Sequence, residues 1–241
     1  MAVFKSNLLR LFLDHFDPGT ATTSCSISLA SQMLDKTSWT DVAETSLAGR
    51  RQDSIDWSGY FEDSTLGVDK MLGTIVGTRG GIVSYCIGTG IGSRAYSGTV
   101  FASHIKAVSA GKELVKAEMS LVPDQAWHEC KLFAAKASQS GTFAETINSG
   151  SIDDGGSSTG TTYMYAHMHQ VPGTIGTIDI GLADSADGTT FGITTTEVSF
   201  TGTGAKIGTL TSNLRRYVRV RQVWTSSTGT MLYSVTYTRN K

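Results

Sequence analysis

Apolar and polar side chains alternate with period two along most of the chain, as half-buried strands require. In residues 54–61 (SIDWSGYF), Ile55, Trp57 and Phe61 share a face with Gly59, while Asp56, Ser58 and Tyr60 take the other. The same reading predicts strands over residues 8–13, 24–29, 81–87, 95–107, 113–122 and 128–133. Between 67 and 76 the period changes. Val68, Met71, Leu72, Ile75 and Val76 fall at helical spacing, Ser64 or Thr65 is placed to cap the start, and Gly77 to end it. Residues 30–52 show no clean periodicity, and a connection of that length in a compact domain implies a task for it.

A change of composition follows. Of the 26 residues 137–162, 16 are Ser, Thr or Gly, which reads as a flexible stretch and places a domain boundary near 140. Beyond it Ile178, Ile180 and Leu182 alternate with Thr177, Asp179 and Gly181, and SADG at 185–188 supplies a tight turn. Val218, Val220 and Trp224 share one face of residues 217–224, with Tyr217, Arg219 and Arg221 on the other. Tyr233, Val235 and Tyr237 keep register in 231–238. The expected fold is mainly β: a domain over 1–140 with one short helix, then a small antiparallel β-sandwich over 141–241.

Charge narrows the function. The chain has 20 basic and 21 acidic residues, for a net charge of −1. Residues 1–140 carry 13 basic and 14 acidic groups, and 141–241 carry 7 of each. A protein that grips DNA through its phosphates shows a basic stripe, and this sequence has none. The three cysteines, Cys25, Cys86 and Cys130, form no CxxC pair and read as buried reduced thiols. The N-terminal apolar patch is broken by Arg10 and Asp14, too short and too charged for a signal sequence or a membrane span, so folding in a cytoplasm is expected.

Candidate chemistry is sparse. Gly88, Gly90 and Gly92 have G-x-G-x-G spacing, not the G-x-G-x-x-G that opens a helix onto a pyrophosphate, and read as a hairpin loop. His167 and His169 share a strand face about 7 Å apart, which suits two ligands of one Zn²⁺. A third ligand is missing, and the shared face with Tyr163 and Tyr165 favours a packed aromatic–histidine stripe. His128, Glu129 and Cys130 are adjacent and cannot converge if extended, and a Cys–His pair would need His104 or His15. The pairs Glu62-Asp63 and Asp153-Asp154 read as solvated acids in turns. No G-x-S-x-G, HExxH or P-loop occurs. The expectation is a protein with no catalytic residues, no metal and no cofactor.

Residues 33–77 carry an ordered series of motifs. They run Leu34-Asp35-Lys36-Thr37-Ser38-Trp39-Thr40-Asp41, Leu47-Ala48-Gly49-Arg50-Arg51, Ser58-Gly59-Tyr60-Phe61-Glu62-Asp63 and Val68-Asp69-Lys70-Met71-Leu72. With Tyr96-Ser97-Gly98 and residues 111–122, the series resembles the tail tube (major tail) proteins of long non-contractile-tailed bacteriophages over about residues 5–135. Some members append an outer β-sandwich, which 176–188 and 214–239 resemble. The chain departs from the family at Gln52-Asp53 and in the turn His15-Phe16-Asp17-Pro18-Gly19. The resemblance implies a tube-forming β-sandwich or barrel domain, assembled as stacked hexameric rings around a lumen, in a virion tail built in the host cytoplasm. Implied partners are further copies of the chain, a tape-measure protein, tail-end proteins, and double-stranded DNA passing to the host without specific binding; no membrane is implied. The loop 30–52 would reach the adjacent ring, with Trp39 as an apolar anchor and Asp41, Glu44, Arg50 and Arg51 pairing across the joint. The alternative is an adhesin or glycan-binding module whose contact face carries Tyr217, Arg219 and Arg221.

Overall fold

The computed structural model describes residues 9–35, 46–61, 68–75, 79–108, 115–125, 127–143, 146–171, 173, 176–211, 213–225 and 227–238. It is mainly β, with one short helix, and the described strands pair antiparallel. No described helix is long and apolar enough to cross a membrane. Two compact units emerge, and the chain passes between them repeatedly. The first comprises Met1–Thr20, Gly81–Gly98 and His128–Lys241; the second comprises Ala21–Gly80 and Thr99–Trp127.

In the second unit, β2 (Thr22–Ser28), β5 (Ser54–Tyr60), β8 (Lys116–Pro123) and the distal half of β7 (Arg94–Val108) lie side by side. Cys25 faces Trp57, Trp57 faces Met119, and Met119 faces Ile105; one row along, Ile27, Ile55, Leu121 and Ala102 align. Ile55, Trp57, Met119 and Leu121 are buried, and the Trp57 indole donates to Thr22 Oγ1 at 2.7 Å. Phe61 differs from expectation. The strand stops at Tyr60, the Phe61 N–H bonds the Val115 carbonyl at 2.8 Å, and its ring is exposed rather than in register with Trp57. The expected helix is α1 (Val68–Ile75), whose Val68, Met71, Leu72 and Ile75 are buried at i, i+3, i+4 and i+7. Its expected caps lie outside the described residues.

The supposed loop 30–52 contains a hairpin. β3 (Ser31–Asp35) pairs with β4 (Ser46–Arg51), Ser31 opposite Arg51 and Asp35 opposite Ser46. Among the described strands β3 and β4 pair only with each other, and neither SQMLD nor SLAGRR alternates apolar with polar residues, so no period-two signal was there to read.

In the first unit, β14 (Gly204–Leu210), β11 (Thr162–Gln170), β16 (Ser227–Thr238), β9 (His128–Phe143) and the start of β7 form one sheet. β10 (Thr146–Asp153), β15 (Tyr217–Trp224), β12 (Ile178–Ser185) and β13 (Gly192–Phe200) form another. Met164, Met168, Met231, Val235 and Tyr237 of one meet Ile180, Leu182, Phe200, Val220 and Trp224 of the other in one apolar core, a two-sheet sandwich. The loop 186–191 joins β12 to β13; Asp187 accepts from Thr189 and Thr190 N–H at 2.9 Å, and Gly188 has φ 77°.

The sandwich begins earlier than the sequence suggested. Residue 140 lies inside β9, and the Ser/Thr/Gly-rich stretch is mostly strand, from the tail of β9 through β10. Hydroxyl residues satisfy an edge or half-exposed strand as well as a linker, so composition alone did not separate them. The opposite face of β11 packs on β1 (Leu9–Leu13) and β6 (Gly81–Ile87), which pair with each other. There Phe12, Cys86, Ala95, Cys130, Leu132 and Tyr165 cluster. Both faces of β11 are therefore buried.

Candidate functional site

The outward face of the second unit's sheet carries small polar side chains in registered rows. Ser26, Asp56, Ser120 and His104 form one row; Ser24, Ser58, Glu118 and Lys106 form the next. Ser120 Oγ donates to Asp56 at 2.6 Å, and the Ser24 and Ser58 hydroxyls are 2.8 Å apart. Lys116, opposite Tyr60, continues the face. Asp56, Glu118, Lys106 and Lys116 thus offer two charges of each sign amid hydroxyls. Such a surface is wetted and neutral, with no concentration of cations to hold a phosphate chain. Sequence reading assigned Asp56 and Ser58 to an outward face but did not assemble them with strands β2, β7 and β8. The available signal was the serines on the polar half-period of β2 and β5, joined by Ser120 of β8; β7 contributes His104 and Lys106 instead.

At the edge of this sheet, β2 pairs only with β5 among the described strands. Its sequence, TTSCSIS, contains no charged residue and no proline. Edges that avoid association are usually guarded by such residues. By contrast, β14 carries Lys206, and β10 is interrupted by a bulge between Asn148 and Ser151.

The hairpin arm is fixed at its base. Gln52 N–H bonds the Ala30 carbonyl at 2.8 Å, and Ala30 N–H bonds Asp53 Oδ1 at 3.2 Å. Asp53 is buried, which gives the departure from the family pattern at Gln52-Asp53 a physical role. Trp39, Asp41 and Glu44 lie outside the described residues, as do the side chains of Arg50 and Arg51, whose backbone belongs to β4.

Tyr217, Arg219 and Arg221 do share one face of β15, alternating with buried Val218, Val220 and Gln222. Much of this strip is engaged within the chain. Arg221 pairs with Glu197; Arg216 makes two 2.7 Å bonds to Asp153 and lies over the Tyr217 ring. Those bonds hold the Asp153 carboxyl down at about 2, the guanidinium being the main cause. Arg219 differs. Its guanidinium lies 4.0 Å from the Phe191 ring centroid, and its buried Nε has no acceptor among the described residues.

The histidine pair is buried and fully engaged. His167 Nδ1 faces the Asp14 carbonyl at 2.7 Å and its Nε2 faces Ser84 Oγ at 2.8 Å. His169 Nδ1 faces the His15 carbonyl at 2.9 Å and Nε2 faces Ser234 Oγ at 2.8 Å. Carbonyls only accept, so each Nδ1 carries the proton and each neutral Nε2 accepts from a serine. No ring lone pair is left for a metal, which favours the packed stripe. Burial is the main cause that pushes His167 down to about 3, with His169 adding to it. Ser97 and Thr236 hydroxyls, 2.7 Å apart, extend the network from Ser84. Asp14 anchors it with φ 49°, donating to the Ile82 carbonyl at 2.7 Å and accepting the Ile82 N–H at 2.9 Å. The turn that departs from the family pattern therefore serves the two histidines.

Other candidates resolve individually. Asp154 is not a solvated acid: it is buried, paired with Lys131, and accepts Tyr237 Oη–H at 2.5 Å. Glu62 and Asp63 lie outside the described residues. His128 stacks on Tyr163 at 4.5 Å and bonds Tyr165, Glu129 pairs with Arg94 at 2.8 Å, and Cys130 is buried. Burial pushes the Cys25 and Cys130 thiols up to about 12 and Cys86 higher still, so none is a ready thiolate. Residues 88–93 form the loop between β6 and β7, with Gly88 and Gly92 at φ 113° and 86°.

No family model matches the chain, and no curated protein matches it. Solved structures do. A chain of the virion of a native gene transfer agent particle aligns at 18% identity and TM-score 0.45, over 53% of this chain and 98% of that one. A chain from the tail of an empty gene transfer agent particle, refined with C6 symmetry, gives 18% and 0.42 with the same coverage. The SPP1 Dit protein, described as a paradigm of the hub adsorption apparatus in phages infecting Gram-positive hosts, gives 9% and 0.33 over 95% of this chain and 99% of its own. None of the three reaches a TM-score of 0.5, so no assembly or residue role passes from them to this chain.

Proposed function

We propose that the chain is a structural virion protein of the tail-tube type, without catalytic activity, that assembles as stacked hexameric rings enclosing a passage for DNA. The observation that carries this reading is the second unit's sheet: a neutral, serine-rich outward face bounded by the unguarded edge of β2. Edge-to-edge pairing of β2, which among the described strands pairs only with β5, with a strand of the next copy would extend the sheet and carry the polar face around a ring. A wall of hydroxyls and balanced charge lets a polyanion slide without being held. The motif series over residues 33–77 supports the same reading, since its segments include β4, β5 and α1. In this reading the polar face lines the lumen, a tape-measure protein occupies it before DNA, and tail-end proteins close it. The test is negative-stain microscopy of the purified protein across a concentration series. Hollow tubes or six-fold rings are expected, and a monomer at every concentration would overturn the proposal.

Arg219 favours a second reading, in which the Tyr217–Arg221 face binds an acidic glycan. Saturable binding to uronic-acid oligosaccharides, lost in Arg219→Ala, is its test; equal binding by both proteins excludes it.

A further inference from the structure

The sheet of the second unit has two unlike ends. β5 runs from Ser54 to Tyr60 and β8 runs back from Lys116 to Pro123, so Ser54 and Pro123 mark one end, Tyr60 and Lys116 the other. Tyr60 is six residues beyond Ser54, or roughly 20 Å at the rise of a strand.

At the first end lies an open groove of about 510 Å³. Phe101, Val122 and Pro123 give it an apolar floor, and Arg79 and Asp124 stand at its rim. Arg79 is 79% exposed, 3.7 Å from Asp124, with its guanidinium 5.8 Å from the Phe101 ring centroid. A pair held that loosely leaves the carboxylate open to a second cation, and the guanidinium open to a second ring.

At the opposite end three large side chains face water. Tyr60, Phe61 and Val115 are exposed by 40%, 37% and 37%. They adjoin one another: Phe61 N–H bonds the Val115 carbonyl at 2.8 Å, and Tyr60 stands opposite Lys116, the residue after Val115. The result is an apolar cap with an exposed cation beside it. Clustered apolar exposure of this kind marks a contact surface.

The direction of the strands selects the occupant. A sheet that closes sideways through β2 leaves its strand ends facing along the axis of the ring, toward the next ring on either side. One end of each copy then meets the opposite end of another. The two ends are complementary, since apolar cap matches apolar floor, Lys116 matches Asp124, and an aromatic ring of the cap can cover Arg79.

We infer that the groove formed by Phe101, Val122, Pro123, Arg79 and Asp124 receives the Tyr60, Phe61 and Val115 cap of a second copy of this chain. This deepens the tube reading and rests on it. Cap and groove are different surfaces, so the contact is heterologous and propagates from copy to copy. The stack therefore has a direction, with bare caps on one terminal ring and open grooves on the other.

Cross-linking tests this directly. In a Cys25→Ser background, Phe61→Cys and Val122→Cys are made singly and together, and assembling protein is treated with a short bismaleimide. A ladder of multimers on a denaturing gel is expected from the double variant, and a dimer from a mixture of the two single variants. The separation of roughly 20 Å keeps the pair from linking within one chain. Tubes that form without a ladder would overturn the inference and leave the tube standing. Dimers from the Phe61→Cys protein alone would mean that cap meets cap, and also overturn it. Wild-type protein that never assembles would remove both readings. Charge reversal supplies an independent check, because Lys116 and Asp124 are both exposed. Lys116→Asp sets like charges against each other and is expected to raise the concentration needed for assembly about tenfold. Adding Asp124→Lys should restore it. Absence of the rise, or of the rescue, would contradict the assignment.

Discussion

Acidification from pH 7 to pH 4 is expected to destabilise the first unit through His167. The neutral ring is held by the Asp14 carbonyl and Ser84, and no carboxylate hydrogen-bonds it. Burial lowers its folded pKa to about 3 from the ordinary 6.5, with repulsion from His169 assisting. Well above pH 6.5 the ring is neutral in both states and contributes no pH dependence. Below that, the unfolded chain takes a proton that the folded one refuses, so stability falls until pH approaches 3. The difference is about 2 kcal/mol at pH 5 and about 3 kcal/mol at pH 4 for this one group. Denaturant titrations at each pH, for wild type and His167→Gln, isolate it. The variant starts less stable, because its amide cannot reproduce both ring contacts, but its loss between pH 6.5 and 4 should be shallower by that amount. Parallel pH profiles would refute the idea that a buried neutral imidazole sets the slope.

Asp184→Ala removes a buried carboxylate that receives the Arg215 backbone N–H at 2.8 Å and Nε at 3.0 Å; a loss of about 1–3 kcal/mol is expected in denaturant titration, because the half-exposed Arg215 guanidinium can turn to water. Gly59→Ala places a methyl 2.4 Å from the Trp57 ring and 2.5 Å from the Ala21 carbonyl, and should lower the melting midpoint sharply, by roughly 2–4 kcal/mol of stability. Gly73→Ala meets nothing within 4 Å inside α1, and should stabilise by about 1 kcal/mol. Asp53→Ala removes the acceptor for Ala30 N–H; faster amide exchange at the arm base is its readout, at a cost of about 1–3 kcal/mol.

Strands with one wet face were legible, and this accounts for the reading of β15 and of β5 as far as Tyr60. The helix was legible because four buried residues repeat at i, i+3, i+4 and i+7. Where burial is two-sided or absent the pattern carries less. β11 is buried on both faces, so Tyr163–His169 gave no clue to which side held the histidines' partners. Those partners, Asp14 and His15, lie some 150 residues away, a separation that no local window spans. The arm escaped notice because SQMLD and SLAGRR show no regular alternation of apolar and polar residues. Asp154 was misread because nothing near it in sequence announces Lys131 or Tyr237. The polar sheet face is an intermediate case: each strand showed its hydroxyls, but only the register aligned them.

The histidine network also constrains the order in which the protein can be made. At a synthesis rate of roughly 5–20 residues per second, His167 leaves the ribosome about 8 to 30 s after Asp14, its partner 153 positions earlier. β16, which pairs with both β9 and β11, follows later still. The second unit has all its residues once Trp127 emerges, whereas β1 and β6 must wait with an apolar face uncovered. Early emergence and late completion leave β1 and β6 paired with each other but without the strand that covers them until β11 has been made.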